Sequence, residues 1–357
     1  MDTLQLPQQL PSPSHHVIVV LEQVHLPINE VDTAPQSHEL ICYHRVSNAN
    51  EVRSRIQCAS IVIATQALIT AESLGEAPYL KCIITPTVGT NHIDMGECRH
   101  RGIKVAKCEG STSPAVADHA LSLYFAARRK TVMFHNDIRN VDNRGENSWK
   151  RQGSIAFKMQ TANGSPPLSV EQEVVGIIGH GHIEGKRLET FCNALGMKVL
   201  ISDRKNGPVI RHDTNNREDK PAVRTPFEEV IRSAIVLFLS CTFDEGSCNM
   251  IDAPELSAMR PEMIIINVSR GGAMRTSAVV QALQEKRISG AGVDAYDQEP
   301  ASTEDDSRFL AENTKDLNLT FSPHTGYFST KTILTMKSMV QDHISHFISG
   351  DFTRFEK

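Results

Sequence analysis

Three side chains in the last third of the chain, Arg270, Glu299 and His324, are of types that together can handle a carbonyl compound bearing a carboxylate. Arg270 stands in Asn267-Val-Ser-Arg270-Gly-Gly272, directly after the apolar run Met263–Ile266, so a guanidinium emerges at a glycine-flanked strand end. There it can grip a carboxylate through two parallel hydrogen bonds and polarise the adjacent carbonyl. Glu299 follows Gly290-Ala-Gly-Val-Asp294 in a loop, and His324 lies in Ser322-Pro-His324-Thr-Gly326. A carboxylate beside an imidazole orients the ring and favours its protonated form, which can protonate an alkoxide as a hydride reaches the carbonyl carbon. Singly, each residue has a plainer reading: a surface ion-pair partner, an exposed loop acid, a turn histidine beside a proline. Their joint placement after successive strands, where doubly wound sheets bind ligands, favours the chemical one.

A second constellation would supply the hydride. Gly179-His180-Gly181-His182-Ile183-Glu184-Gly185 follows the apolar run Val174–Ile178 and leads into a helical pattern closed by Gly196. Such a turn lets backbone N–H groups approach an anion where no side chain intervenes, as a dinucleotide pyrophosphate requires. The third glycine of the usual G-x-G-x-x-G spacing would fall at Glu184, so the segment reads as a one-residue insertion with Gly185 making the close helix contact. If Glu184 instead occupied the turn, its carboxylate would oppose the pyrophosphate at the helix N-terminus. Asp203, after the next strand, is placed to accept bonds from ribose hydroxyls, which favours NAD over NADP, although Arg204 beside it weakens the distinction.

Short β-rich runs at 17–21, 60–64, 80–84 and 103–106 alternate with segments long enough for crossover helices and imply a first parallel sheet. Runs at 174–178, 198–202, 235–240, 263–268, 290–294 and 317–322 imply a second. Between the two groups, residues 115–130 form an amphipathic helical pattern ending in Arg128-Arg129-Lys130, read as an interdomain helix. The last helix is expected over 329–349, residues 1–14 as a disordered Pro/Gln-rich tail, and 205–226 as a polar surface excursion.

With 357 residues the chain is long enough for two cores. Its net charge of -5 gives no basic field for nucleic acid, and no apolar run approaches the roughly 20 residues that cross a bilayer. The eight cysteines are dispersed without C-x-x-C spacing, which implies neither a disulfide framework nor a zinc site. His180 and His182 form no metal constellation, so no metal is expected. A cytoplasmic protein with no nucleic-acid or membrane partner is the expectation.

From Leu80 to Tyr327 the sequence resembles the D-isomer-specific 2-hydroxyacid dehydrogenase family. The resemblance is carried by TVGTNHID (87–94), AVADHALSLYFAARR (115–129), NVSRGG (267–272), GAGVDAYDQEP (290–300) and SPHTG (322–326), in family order. It implies Arg270, Glu299 and His324 as the catalytic set, and Val88 and Gly89 as backbone donors to the substrate carboxylate. It assigns cofactor contacts to Gly179, Gly181, His182, Ile183, Gly185, Asp203, Cys241, Val268, Ser269, Asp294, His324 and Gly326. The implied architecture is α/β, with two doubly wound parallel-sheet domains. A Rossmann NAD-binding domain (131–326) is inserted in a flavodoxin-like substrate domain (15–130 and 327–357), with the active site in the cleft and a homodimer as the assembly. The expected activity is NAD-dependent interconversion of a small 2-oxo acid and its D-2-hydroxy acid, a glyoxylate/hydroxypyruvate reductase being one form. An NAD-sensing corepressor-like protein and a cofactor-impaired relative stay open as alternatives. Arg275 departs from the family pattern, which has an acid shortly after the catalytic arginine.

Overall fold

The apolar runs form two parallel sheets, one in each of two units, Met1–Thr112 with Phe328–Lys357 and Ser113–Tyr327. This is a computed structural model, and it describes residues 2–111, 113–161, 164–180, 183–207 and 223–356.

In the first unit the strands are β1 (His15–Val20), β2 (Ser37–Cys42), β3 (Ile61–Ile63), β4 (Cys82–Thr85) and β5 (Lys104–Lys107), ordered β2-β1-β3-β4-β5. This is the flavodoxin-like order. All six residues of β1 are buried because both faces of the sheet are covered. Strand β2 was not foreseen: SHELIC is an edge strand, mostly half-buried, and lacks the apolar run that marks the central strands. The C-terminal helix Thr330–Ser349 starts at a Ser329 cap, ends at Gly350 and buries Met336, Val340 and Ile344 in the same unit. Residues 2–14 contain no helix or strand, yet they are tied to the first unit rather than free of it. Asp2 accepts from the His44 amide at 2.6 Å, the Gln5 amide donates to the Tyr43 hydroxyl at 3.0 Å, and the Gln8 amide donates to Glu39 at 2.8 Å.

The second unit holds β6 (Val174–Ile178), β7 (Lys198–Ser202), β8 (Arg224–Thr225), β9 (Val236–Leu239), β10 (Ile264–Asn267), β11 (Gly290–Val293) and β12 (Leu319–Phe321). Their order, β12-β11-β10-β9-β6-β7-β8, is that of a Rossmann sheet with one extra strand, and the order reverses between β6 and β9. Of the polar excursion expected over 205–226, residues 208–222 lie outside the described residues; Arg224–Thr225 adds the short edge strand.

The helix Ser113–Arg128 falls in this second unit, whereas the domain bounds expected from the sequence, 15–130, place it in the first. Its buried stripe, Ala117, Ala120, Leu123, Tyr124 and Ala127, packs with Val175, Ile177, Phe238, Ile264 and Ile266 of the second sheet. A helical period reports that a face is buried but not against which sheet. At the end of this helix Arg128 forms an ion pair with Glu173 just before β6, both buried, while the Tyr124 hydroxyl donates to Glu173 at 2.9 Å. Removing one partner of such a pair strands the other charge out of water. Arg128→Ala is therefore expected to lower the unfolding free energy by about 3–5 kcal/mol. Urea denaturation checks this, and a loss below about 1 kcal/mol would contradict it.

Candidate functional site

Strands β10, β11 and β12 are adjacent and parallel, so the loops leaving their C-terminal ends emerge along one edge of the second sheet. The three sequence-predicted catalytic residues lie on these loops. After β10, the fully buried Asn267 shapes the turn: its amide nitrogen donates to the Arg270 carbonyl at 2.8 Å, and its oxygen accepts from the Ser269 amide at 3.0 Å and hydroxyl at 2.9 Å. Val268 is half-buried and Ser269 is buried, both within this turn. Arg270 is half-buried, with Nη1 donating to the Ser269 carbonyl at 2.8 Å. A Cβ at Gly271 would overlap the Tyr296 carbonyl, so glycine lets the β10 loop lie directly on the β11 loop.

On that second loop, Glu299 Oε1 accepts from the Tyr296 amide at 2.9 Å, and Oε2 lies 2.6 Å from His324 Nδ1. Burial would raise the Glu299 carboxyl, but the hydrogen bond and charge of His324, the Tyr296 amide and the charge of Arg270 outweigh it and hold the group below its ordinary value. The expected Glu299–His324 pair is thus formed, and Arg270 is near enough for its charge to act on it. Arg275, the departure from the family pattern, pairs with Asp252 at 2.7 Å.

His324 has a positive φ of 51°, a conformation that a non-glycine residue adopts only under constraint. The constraint is Asp294, at the end of β11 and 3% exposed. Its Oδ1 accepts from the Ser322 hydroxyl at 2.6 Å and the Thr325 amide at 3.0 Å, and its Oδ2 from the Gly326 amide at 2.9 Å. Burial would raise this carboxyl too, yet His119, Ser322 and Gly326 hold it below the ordinary range. Asp294 and Gly326, expected as cofactor contacts, are therefore engaged with each other. Tyr296 adds a further tie, its hydroxyl donating to the Ser322 carbonyl at 3.0 Å.

The glycine turn follows β6. Gly179 has φ 100°, and a Cβ there would stand 2.5 Å from the Cys241 amide nitrogen. A Cβ at Gly185 would overlap the Gly179 carbonyl oxygen, so it is Gly185 that makes the close helix contact, as the insertion reading requires. Glu184 stands in the first turn of the helix Ile183–Ala194. Gly181 and His182 lie outside the described residues, as does the side chain of Ile183. His180, buried, binds Glu189 of the same helix at 2.7 Å and ties the turn to it. Cys241 is half-buried in the loop after β9, and burial pushes its thiol up. The Asp203 amide donates to Thr225 at 2.9 Å, and its carboxylate has no partner among the described residues. Close approaches at Gly179 and Gly185 that admit no Cβ, a helix start, and a carboxylate after β7 without a partner among the described residues together fit a dinucleotide.

In the first unit, the loop after β4 carries Val88 and Gly89, both half-buried. Thr87 donates to the Gly89 carbonyl at 2.6 Å, and the amides of Val88 and Gly89 have no partner among the described residues. Two free N–H groups in sequence suit a carboxylate.

Sequence reasoning missed His119, Ser322, Tyr296 and Asn267 as parts of this site. Each stands inside a quoted block, but the bond between His119 and Ser322 spans 203 residues, and no local spacing signals it. Among the described residues no group of three or more His, Cys, Asp or Glu side chains is gathered as for a metal ion, and no helix is long and apolar enough to cross a membrane.

The chain is similar to known proteins. The family described as "D-isomer specific 2-hydroxyacid dehydrogenase, NAD binding domain" matches residues 122–326. A glycerate dehydrogenase of Methylorubrum extorquens is 28% identical over 314 residues, covering 88% of this chain and 90% of that protein. A glyoxylate reductase of Thermococcus litoralis is 28% identical over 284 residues, covering 79% and 78%. The fold is shared with a D-lactate dehydrogenase from Aquifex aeolicus complexed with NAD and lactic acid, at TM-score 0.66 and 22% identity, over 95% of this chain and 97% of that one.

Two outcomes are expected from this geometry. Gly185→Ala forces the helix off the turn, a strain of about 1–3 kcal/mol, and should weaken NADH binding about tenfold in a fluorescence titration. A dissociation constant unchanged from wild type would remove the turn as the binding element. Asp294, depressed in the folded state, contributes stability above its unfolded pKa that is lost as pH falls through the folded one. Asp294→Asn should therefore be less stable than wild type at about pH 7, with a smaller difference at about pH 3, as measured by urea denaturation.

Proposed function

The chain belongs to the D-isomer specific 2-hydroxyacid dehydrogenase family, and on that premise we propose that it reduces a small 2-oxo acid to the D-2-hydroxy acid with NADH, using Arg270, Glu299 and His324. Family membership makes it an oxidoreductase of 2-hydroxy and 2-oxo acids with an NAD-binding domain. The reading of its individual residues is carried by one observation: His324 Nδ1 is held by Glu299 at 2.6 Å, while Nε2 has no partner among the described residues.

That geometry supports the following roles. When bound, the nicotinamide supplies the hydride. Arg270 holds the substrate carboxylate through its guanidinium, and its charge polarises the neighbouring carbonyl. His324 donates the Nε2 proton to the carbonyl oxygen as that oxygen becomes an alcohol, and recovers a proton from solvent afterwards. Glu299 keeps the ring in the required orientation and stabilises the imidazolium. Its lowered pKa keeps it ionised through the neutral range. In the turn after β6, Gly179 and Gly185 leave room for the pyrophosphate, and Asp203 accepts from the ribose hydroxyls, which disfavours a 2′-phosphate and supports NAD as the preferred cofactor. The relatives named above point to acids of two or three carbons, glyoxylate and hydroxypyruvate among them.

A homodimer is part of the same proposal. The helix Thr131–Arg139 of the second unit buries none of its residues, and Val132, Ile138 and the nearby Trp149 are exposed. An amphipathic helix without a core of its own calls for a covering surface, here a second copy. Sedimentation of the wild type at twice the monomer mass supports this assembly, and a monomer at micromolar concentration removes it.

The activity test is NADH oxidation with glyoxylate, hydroxypyruvate and 2-oxoisocaproate. Arg270→Ala is expected to lower kcat/KM for the oxo acid by at least about a hundredfold. His324→Ala should lower kcat by about 10²–10⁴-fold while leaving the NADH dissociation constant within about twofold. Unchanged turnover in His324→Ala would overturn the mechanism. NADH binding without turnover on any 2-oxo acid would overturn the reductase reading.

A further inference from the structure

The Asp294 network has a member that none of the proposed catalytic roles uses. His119 projects from the helix Ser113–Arg128, its ring 22% exposed, with Nε2 2.7 Å from the Ser322 hydroxyl and 3.3 Å from Asp294 Oδ1. A serine hydroxyl has one proton, and Ser322 gives it to Asp294 at 2.6 Å. Its oxygen can then only accept from His119, so Nε2 of His119 carries hydrogen. The donor order is fixed: His119 to Ser322, Ser322 to Asp294. The same Asp294 carboxylate accepts from the amides of Thr325 and Gly326, the two residues that follow His324. The left-handed backbone at His324, φ 51°, is a conformation costing about 1–3 kcal/mol that persists only where the surroundings over-determine it.

We propose that His119 is a positioning residue: its Nε2–H, acting through Ser322 and Asp294, locks the backbone at His324 and so aims the catalytic imidazole. The catalytic half of this inference rests on the acid–base reading of His324 given above; the locking half does not. Without the His119 donor, the Ser322 hydroxyl is free to rotate away from Asp294, and Asp294 loses both a hydrogen-bond donor and an adjacent imidazole. The carboxylate then holds Thr325 and Gly326 less firmly. Packing alone is a weaker explanation. His119 also lies against Gly326, where a Cβ would stand 3.1 Å from its ring, but a side chain of similar size would keep that contact.

The experiment separates hydrogen bonding from bulk. Glutamine places an N–H near the position of histidine Nε2, whereas methionine fills similar volume without a donor. In the full chain, His119→Met should lower kcat about tenfold to a hundredfold, with KM for the oxo acid and the NADH dissociation constant within about twofold. His119→Gln should restore kcat to within about threefold of wild type. Amide hydrogen exchange followed by NMR supplies a readout without turnover: exchange at Thr325 and Gly326 should accelerate in His119→Met and return towards wild type in His119→Gln. Equal impairment of both variants, or wild-type exchange and turnover in His119→Met, would overturn the proposal. If the wild type turns over no 2-oxo acid but exchange follows the expected order, the acid–base reading fails and the lock stands. If turnover is normal in wild type and exchange is unmoved by His119→Met, the lock fails alone.

Discussion

A carboxylate taken out of water must be given hydrogen bonds, and at the end of β11 that requirement organises the edge that carries Arg270, Glu299 and His324. Asp294 is 3% exposed, and leaving its charge unmatched would cost several kcal/mol, on the order of what a domain has to spare. The partners that satisfy it come from a helix, a serine and two consecutive backbone amides, so meeting the need of one atom group fixes the path of the chain from Ser322 to Gly326. The imidazole proposed as the acid–base group is carried inside that path. Its backbone has a positive φ, and its ring is held by Glu299 from the neighbouring loop.

The glycine turn after β6 obeys a different constraint, that of empty space. Where Asp294 attracts donors, Gly179 and Gly185 matter for what they lack: a Cβ at either would meet backbone atoms across the turn. This settles the irregular glycine spacing in physical terms. The third glycine is one residue late because the helix touches the turn at 185, and Glu184 is left in the first helical turn. A carboxylate there works against an anion at the helix N-terminus by only a fraction of a kcal/mol to about 1 kcal/mol.

Much of this was legible in the sequence because the signals are local. The strands of both sheets announce themselves as apolar runs, and Arg270, Glu299 and His324 stand directly after three of them. What was not legible depends on contacts between distant parts of the chain. Strand β2 is polar because it lies at a sheet edge. The helix Ser113–Arg128 shows an apolar stripe that would fit either sheet, and only its packing on Val175, Phe238 and Ile266, with the Arg128–Glu173 pair, assigns it to the second unit. The N-terminal tail has the composition of a free segment, but amides of residues such as Gln5 and Gln8 find acceptors on Tyr43 and Glu39. The bonds that Ser322, Thr325 and Gly326 give to Asp294 are equally hidden, since nothing at Asp294 itself announces which distant donors meet its oxygens.

The position of the proposed catalytic groups along the chain follows from the same geometry. A parallel sheet puts the C-terminal ends of adjacent strands on one side, about 4.8 Å apart, and each crossover returns the chain to the opposite side. Residues that must act together are therefore close in space only if they follow neighbouring strands, and they are separated in sequence by a full crossover: Arg270 after β10, Glu299 after β11, His324 after β12. Such an edge supplies position but little rigidity, because the loops leave the ladder where its hydrogen bonds end. Rigidity has to be added by side chains at the ladder's end that reach forward into the loops or across to the neighbouring strand end. Asn267, Asp294 and Ser322 are those side chains, one immediately at the end of each strand, and together they turn three loop starts into fixed mounts for the groups beyond them.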